Sequence, residues 1–244
     1  MLLKRGDDGL RLDKYISSQM AELSRSSVKE LCRRGAVTVN GAVVKKADIH
    51  IDENSDSVCV SGKEINYREH VYIMLNKPQG VVCATKDRVS ETVLELIPPE
   101  LRRRDMFPAG RLDKDTEGFV LITDDGELAH RMLSPVSHVP KTYFVRLENP
   151  VGEELVGRFS EGMMIDGGEK CLPAELTLAE NDCECYLVLH EGKYHQVKRM
   201  FACCGNKVVY LKRVRIGGLD LDPKLPLGGC LEILHKDVDK LLTH

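Results

Sequence analysis

The sequence contains no tryptophan, and aromatic residues make up only 5% of its 244 residues. It also lacks an apolar run of the roughly 18 to 20 residues that a membrane helix needs, and its start, MLLKRGDDGLRLDK, becomes charged before an apolar signal segment could form. Its nine cysteines include no CxxC pair and no zinc-type His/Cys spacing, so we expect packed, reduced thiols and no metal. These absences argue against a membrane or disulfide-built secreted protein and predict a folded protein of the cytoplasm.

The sequence also has little net charge: its formal net charge at pH 7 is −3. Taken alone, this value argues against a nucleic-acid partner, but a local excess of cations is enough to bind phosphates. Residues 193–215 contain seven basic residues and no acidic one, namely Lys193, Lys198, Arg199, Lys207, Lys212, Arg213 and Arg215. This block favours an anionic partner, with a solvated basic surface as the alternative.

Residues 1–62 are expected to form a small α/β domain. Two short helices are predicted, and Ser24 is expected to cap the second, which runs from Arg25 to Arg34 and ends at Gly35. The pair Asn40-Gly41 between two apolar strands predicts a tight hairpin. Residues 63–70 are polar and show no periodicity, so we expect a linker there.

A cationic stripe marks the second predicted helix, because Arg25, Lys29 and Arg33 lie four residues apart. The stripe is a weak signal by itself, since residues 1–62 carry ten basic and nine acidic residues, a net charge of +1. The segments RLDKYISSQM and SRSSVKELCRRGAVTVNGAVV resemble the S4 RNA-binding domain over about residues 9–62. In that family the basic helix and the hairpin hold structured RNA, so the resemblance implies RNA contacts for the stripe.

Residues 71–244 are expected to form a second domain of the α+β class, with a mixed, largely antiparallel sheet flanked by helices. Strands outnumber helices in this part and do not alternate strictly with them. The predicted strands are 71–75, 81–84, 119–123, 142–147, 186–189, 208–211 and 231–234. The predicted helices are 91–97, 127–133, 152–159 and 194–204.

The densest group of polar side chains in this part is the segment PAGRLDKDTEGFVLITDDGELAHR. It places Arg111, Asp113 and Asp115 in a glycine-bounded loop that leads into an apolar strand, a suitable mount for a catalytic group. The alternative is that the aspartates only form turns through hydrogen bonds to nearby backbone. We prefer this alternative for Asp115.

Four motifs change the interpretation of Asp113. NKPQGVVCAT, GRLDKDTEG, KTYFV and EGKYHQVKRM occur in the order and rough spacing of pseudouridine synthases that carry an S4 domain. With the S4-like segment, the chain resembles the ribosomal small subunit pseudouridine synthase A family over nearly its whole length. The resemblance implies that Asp113 is the catalytic carboxylate, that Tyr143 packs against the target base, and that Lys198 contacts the aspartate. Glu117 stands where many relatives have threonine, which leaves the hydrogen bonding of the loop open.

The chemistry of this reaction agrees with those residue types. The bond from ribose C1′ to uracil N1 breaks and a bond from C1′ to C5 forms, with no net oxidation, so we expect no cofactor. A carboxylate can act as a nucleophile on C1′ or C6, or as a base, and the sequence leaves this choice open. Burial under the base disfavours the charged form, and Lys198 on a helix flank could offset that effect.

Other side chains are expected to hold the RNA. Tyr143 alternates with Val145 on a strand, where it either fills the core or forms a wall on which the extruded uracil stacks. Arg111 is our candidate for the space that the extruded base leaves, because its guanidinium is planar. Arg199 is expected to contact phosphate, whereas Lys77 lies in a turn and is left out of the catalytic set.

The sequence therefore predicts an enzyme that isomerises a uridine of ribosomal RNA. The substrate that we expect first is the 16S RNA of the small subunit. The alternatives are the same chemistry on 23S RNA, and a non-catalytic S4-type protein that binds RNA during ribosome assembly. The expected partner is ribosomal RNA or a small-subunit assembly intermediate. We expect a monomer, with neither a membrane nor a small-molecule cofactor as a partner.

Overall fold

The structure is a computed structural model that describes residues 9–243. The chain packs as two units: the first holds the described residues up to 71 together with 99–106, and the second holds 72–98 and the described residues from 107 onward. The domain limits expected from the sequence, at 62 and 70, stay a prediction. Within the described residues, no helix has the length and apolar character needed to cross a membrane.

Among its described residues, the first unit contains two α-helices, a short 3-10 helix (Pro99–Leu101) and six short strands. In chain order the α-helices and strands are β1 (Leu10–Arg11), α1 (Leu12–Gln19), α2 (Arg25–Arg34), β2 (Val37–Val39), β3 (Ala42–Val43), β4 (His50–Ile51), β5 (Val58–Val60) and β6 (Lys63–Ile65). Strands β3, β2, β5 and β6 form one sheet in this order, and β1 pairs with β4. Leu12, Ile16 and Val28 are completely buried among the helices and strands, so the apolar side of each helix forms the core of the unit.

The turns of this unit follow from a few residues. The Ser24 side chain accepts a hydrogen bond from the backbone of Ser27 and so caps α2, and Gly35 ends the helix in the left-handed conformation, both as predicted. Asn40 and Gly41 both have positive φ and connect β2 with β3, which confirms the hairpin.

The stretch expected to be a linker, 63–70, contains a strand of the first unit's sheet. Ser61 and Gly62 have positive φ and connect β5 to β6 in a second hairpin, and Ile65 is 8% exposed. The linker interpretation was therefore wrong for residues 63–65. The Ser-Gly pair was a turn signal that the polar composition obscured.

The second unit contains eleven strands and four α-helices among the described residues. The strands are β7 (Tyr72–Lys77), β8 (Phe107–Ala109), β9 (Glu117–Thr123), β10 (Lys141–Leu147), β11 (Met164–Ile165), β12 (Glu169–Lys170), β13 (Glu175–Leu178), β14 (Glu184–Leu189), β15 (Val208–Ile216), β16 (Leu219–Asp220) and β17 (Cys230–Glu232). The helices are α3 (Gly126–Leu133), α4 (Glu154–Ser160), α5 (Gln196–Ala202) and α6 (His235–Val238).

A mixed sheet dominates this unit. Its main strands run in the order β13, β14, β10, β15, β9, β7, β17, with β16 beside β15 and β8 beside β9. Every pairing in it is antiparallel except that of β15 with β9. This confirms the α+β class and the largely antiparallel sheet. One buried cluster joins α4 and α5 to the β10 side, and a second joins α3 to the β7 side.

Two predicted elements of this unit are absent. Residues 81–84 form no strand, and only a single bridge joins Val82 to Thr92. Residues 91–97 form turns and not a helix. Two prolines follow Ile97 and disfavour helical backbone before them, and the Glu95 side chain accepts hydrogen bonds from the backbone and the hydroxyl of Thr92.

Candidate active site

A cleft of about 730 Å³ opens on the second unit. Its walls come from the loop before β9, from the facing side of β10 and β15, and from the start of α5. The cleft is lined, among others, by Arg111, Asp113, Lys141, Tyr143, His195, Lys198 and Arg213. Three segments that are far apart in the sequence therefore place their polar side chains around one cavity.

Asp113 and Lys198 meet in this cleft. The Lys198 Nζ donates to Asp113 Oδ2 at 3.1 Å and to Asp115 Oδ1 at 2.6 Å. Burial lowers the pKa of the Lys198 amine, but its bonds to the two carboxylates outweigh burial, so the pKa lies above its ordinary value. The lysine therefore stays protonated and stabilises the negative charge of both aspartates. Asp115, which we had interpreted as a turn former, is the closer partner.

His195 also faces Asp113, with its Nε2 atom 3.5 Å from Oδ1. The residue directly precedes α5 and has a φ of 47°, in the left-handed region that few non-glycine residues adopt. Its ring stacks on that of Tyr194, with the ring centres 3.8 Å apart. The entry into α5 thus places the imidazole beside one carboxylate oxygen while Lys198, on the helix, contacts the other.

Tyr143 lies on the face of the sheet that lines the cleft. Register places Tyr143 of β10 opposite Arg213 of β15, and Lys141 two residues away on the same face. The Tyr143 ring is half-buried and packs against the core cluster on the α5 side. It therefore contributes to the core and to the cleft wall at the same time.

The loop that carries Asp113 is held by Lys77. This lysine is fully buried, and its Nζ donates to the backbone oxygens of Pro78, Lys114 and Thr116 at 3.0, 3.3 and 2.8 Å. Burial lowers the pKa of the Lys77 amine. Its three carbonyl partners give it a structural role, which agrees with leaving it out of the catalytic set.

Two residues at the start of β9 fix the loop against the sheet. Glu117 accepts a hydrogen bond from the Tyr210 hydroxyl at 2.7 Å. This is the hydrogen bond that the glutamate forms at the position where many relatives have threonine. Gly118 has a φ of 105°, and a Cβ atom there would lie 2.2 Å from the backbone oxygen of Arg213. Only glycine permits this approach of β9 to β15.

The predicted RNA-binding side chains have different surroundings. Arg111 is exposed at the cleft and forms no hydrogen bond or ion pair with the residues that the structure describes. Arg199 instead donates to the side chains of Asp166 and Glu169 and to two backbone oxygens. Its charge is compensated and its donors are used, so the expected phosphate contact is not supported for Arg199.

The stripe on α2 is only partly free. Arg25 donates to the buried Asp13 at 3.1 Å, and Arg33 pairs with Glu30 at 3.3 Å on the surface. Lys29 is exposed, with no ion pair in the described chain. All three side chains remain candidates for RNA contact, with Lys29 the least engaged.

The acid-free block 193–215 is mostly neutralised in three dimensions. Five of its seven cations lie within 4 Å of a carboxylate from outside the block: Lys193, Lys198, Arg199, Lys207 and Arg215. Among described residues, Lys212 and Arg213 have no such partner. The block is therefore not one continuous cationic surface, and its charge along the chain is not evidence for an anionic partner.

His195, Lys141 and Arg213 were not among the site residues predicted from the sequence. The alternation of KTYFVRL that placed Tyr143 also places Lys141 on the same face, so that signal was available. Arg213 lay beyond the predicted end of its strand. The position of His195 depends on a left-handed residue, which no periodicity reveals.

Comparisons with known proteins agree with this geometry. The family model for RNA pseudouridylate synthase matches residues 71–203, and that for the S4 domain matches residues 10–56. An uncharacterised RNA pseudouridine synthase of Bacillus subtilis is 46% identical over 235 residues, which cover 95% of this chain and 98% of the relative.

Relatives whose names state a ribosomal subunit match almost as much of this chain. The ribosomal small subunit pseudouridine synthase A of Vibrio vulnificus is 40% identical over 95% of this chain and 99% of its own length, and that of Escherichia coli is 40% identical over 90% and 94%. A crystal structure of a pseudouridylate synthase, 40% identical, covers 96% of this chain and 100% of that protein with a TM-score of 0.67.

Proposed function

Because the chain belongs to the RNA pseudouridylate synthase family, and is thus an isomerase acting on RNA, we propose that it converts a uridine of 16S ribosomal RNA to pseudouridine. In this proposal Asp113 is the catalytic carboxylate. The observation that carries the proposal is the meeting of Asp113, Lys198 and Tyr143 in one cleft. The choice of the small subunit rests on relatives whose names state that target.

Asp113 is suited to the reaction by its exposure and its partners. Its side chain is 28% exposed, so the carboxylate can reach a nucleotide in the cleft while Lys198 donates a hydrogen bond to its Oδ2 atom. An ionised carboxylate can attack C1′ or C6 of the uridine or remove a proton, and the geometry is compatible with each route.

Tyr143 and Arg111 would hold the nucleotide outside the RNA helix. A base that leaves its stack loses a few kcal/mol, and stacking on an aromatic ring returns roughly 1 to 3 kcal/mol of it. Tyr143 offers such a ring in the cleft wall. Arg111, exposed at the same cleft, can occupy the space that the base vacates.

The first unit would bind the RNA outside the target site. It carries the S4 match over residues 10–56, and Arg25, Lys29 and Arg33 line one side of α2. We take ribosomal RNA or an assembling small subunit in the cytoplasm as the partner. A monomer that works without a cofactor remains our expectation.

The test compares wild-type protein with Asp113→Asn on unmodified 16S and 23S transcripts labelled with tritium at uracil C5. Pseudouridine formation releases that tritium, because C5 exchanges its hydrogen for the bond to C1′. We expect release from the 16S transcript alone, and a loss of at least about 1,000-fold in Asp113→Asn. Lys207→Met is the matched control, because Lys207 is exposed and pairs with Glu148.

Each outcome decides one part of the proposal. Release from 23S and not from 16S would overturn the target. Undiminished release with Asp113→Asn would overturn the role of the carboxylate. Tight binding of both transcripts with no release by the wild type would favour a protein that binds RNA without modifying it.

A further inference from the structure

Besides the exposed Arg111, two cationic side chains that line the cleft have no carboxylate partner within the described chain. Arg213 is 4% exposed; its Nε donates to the backbone oxygen of Phe119 at 2.8 Å, and its Nη2 is buried without a hydrogen-bond partner. The Nζ of Lys141 forms no hydrogen bond or ion pair with residues 9–243. Burying the Arg213 guanidinium with an unpartnered donor is unfavourable, and the half-buried Lys141 adds a second positive charge, so the pair indicates a ligand that completes the site.

The chemistry of the two side chains limits what that ligand can be. Lysine and arginine donate hydrogen bonds and cannot accept them, so the ligand must present acceptor oxygens. Register places Arg213 directly opposite Tyr143, and Lys141 lies on the same face of β10. The acceptor therefore belongs to the group that lies against the Tyr143 ring.

We infer that Lys141 and Arg213 donate hydrogen bonds to a carbonyl oxygen of the target uracil and stabilise the negative charge that the base acquires during the reaction. This inference rests on the proposed function, in which Tyr143 holds that base. A backbone phosphate is a less suitable ligand, because Arg213 is almost completely buried, whereas the phosphates of an extruded nucleotide lie toward the solvent.

The charge follows from the bonds that change. When the bond from C1′ to N1 breaks, both electrons stay with the base, and the uracil anion spreads its charge over N1, O2 and O4. C5 then bonds to C1′, the hydrogen on C5 leaves as a proton and N1 gains a proton, so the product is an isomer. Attack of Asp113 at C6 also places charge on O4. Two fixed cations stabilise this charged base more than the neutral one, which lowers the barrier.

The experiment uses the full chain with Lys141→Met, Lys141→Arg and the exposed control Lys207→Met. Tritium release is measured on whichever ribosomal transcript the wild type modifies, so a wrong choice of subunit in the proposed function does not affect the result. Thermal unfolding checks that each variant folds, and Lys141→Gln replaces Lys141→Met if the latter does not.

We expect Lys141→Met to lower kcat about 10- to 100-fold with KM within about twofold of wild type. Lys141→Arg should recover most of the loss, and Lys207→Met should match the wild type. A higher KM with unchanged kcat would assign the lysine to the RNA backbone and overturn the inference. A wild-type rate in folded Lys141→Met would overturn it as well.

Thio-substituted transcripts identify the oxygen. Sulfur is a weaker acceptor, so replacing the contacted oxygen should slow the wild type more than Lys141→Met. A difference with 4-thiouridine assigns the contact to O4, and one with 2-thiouridine assigns it to O2. Equal slowing of the two proteins by both substitutions would show that neither oxygen is the ligand and would overturn the inference.

Discussion

The Nε2 atom of His195 lies 3.5 Å from the Oδ1 atom of Asp113. Lys198 contacts the other carboxylate oxygen, Oδ2, at 3.1 Å. The two oxygens thus have different partners from the same short segment of chain. The histidine contact is the longer of the two. Helical periodicity does not predict it, because His195 lies before the first residue of α5.

The first prediction concerns the His195 ring. We expect His195→Asn to lower kcat about 3- to 10-fold, because the contact of the ring with a partly exposed carboxylate is worth roughly 1 kcal/mol. Asparagine tolerates the left-handed backbone at this position, so the substitution removes the ring and keeps the turn. Tritium release gives the rate.

A matched control separates the ring from the backbone. His195→Val places a β-branched residue at a φ of 47° and should lower the thermal midpoint, which His195→Asn should leave unchanged. If His195→Asn keeps the full rate, the ring has no part in the reaction and serves only the start of α5.

The second prediction concerns the approach of β9 to β15. Gly118→Ala should destabilise the protein by about 2 to 4 kcal/mol, because the new Cβ would lie 2.2 and 2.8 Å from backbone atoms of Arg213 at a φ that suits glycine. Gly157→Ala is the control: it lies within α4 with no atom near the added methyl group, and it should stabilise by about 0.5 to 1 kcal/mol. Chemical denaturation measures both. Equal stability of the two variants would contradict the close approach.

Local patterns predicted those parts of the fold that depend on neighbouring residues. Ser24, Gly35 and the Asn40-Gly41 pair fixed the ends of α2 and the first hairpin, and alternation predicted β10 with Tyr143 on one face. The pairing of β10 with β15 across a bulge joins residues about seventy positions apart, so no window of sequence could place Arg213 opposite Tyr143.

The charges of residues 193–215 show the same limit, because the sequence does not indicate which distant segment folds against them. The charged residues of the segment 193–215 are all basic. In the fold, however, Asp166 and Glu169 from the distant hairpin of β11 and β12 neutralise Arg199. Charge in sequence predicts charge in space only where no other segment folds against it. Asp113 could be assigned because its motif resembles a known family, not because its spacing indicated Lys198.

The third prediction concerns the first unit, where Asp13 is 1% exposed and accepts hydrogen bonds from Arg11 and Arg25. Burial raises the pKa of this carboxyl, but the two arginines outweigh burial and hold the pKa below its ordinary value of 3.8. Its contribution to stability is therefore complete above the unfolded pKa and is lost as the pH falls through the lower folded pKa.

We expect Asp13→Asn to destabilise the protein by about 1 to 3 kcal/mol at pH 7, because it removes the charge of a buried carboxylate that accepts hydrogen bonds from two half-exposed arginines. The difference from wild type should shrink as the pH falls below 3.8. Glu30→Gln, which removes an exposed pair with Arg33 and Arg34, should change little. Unfolding curves at pH 7, 4 and 3 check this, and a pH-independent loss in Asp13→Asn would contradict it.

The last prediction concerns the pH dependence of Lys141. Burial, together with repulsion from Arg213, lowers the pKa of Lys141 from 10.5 to about 8. Below pH 8 the lysine is charged in the folded and unfolded states, and its burial weakens the fold. Between about 8 and 10.5 only the unfolded state keeps the proton, so this group's contribution to the free energy of unfolding rises with pH. Activity that needs the cation should fall over the same range.

Stability and activity should therefore change in opposite directions at this one residue. Lys141→Met should raise the thermal midpoint at pH 7, and the gain should shrink at pH 9.5. The wild-type kcat should approach that of Lys141→Met above pH 8, whereas Lys141→Arg, which keeps its charge, should hold its rate. Titration of the RNA affects all three proteins equally, so a parallel decline in Lys141→Arg would assign the pH effect to the substrate. A stability gain with no loss of rate would instead leave the buried charge without a function in catalysis.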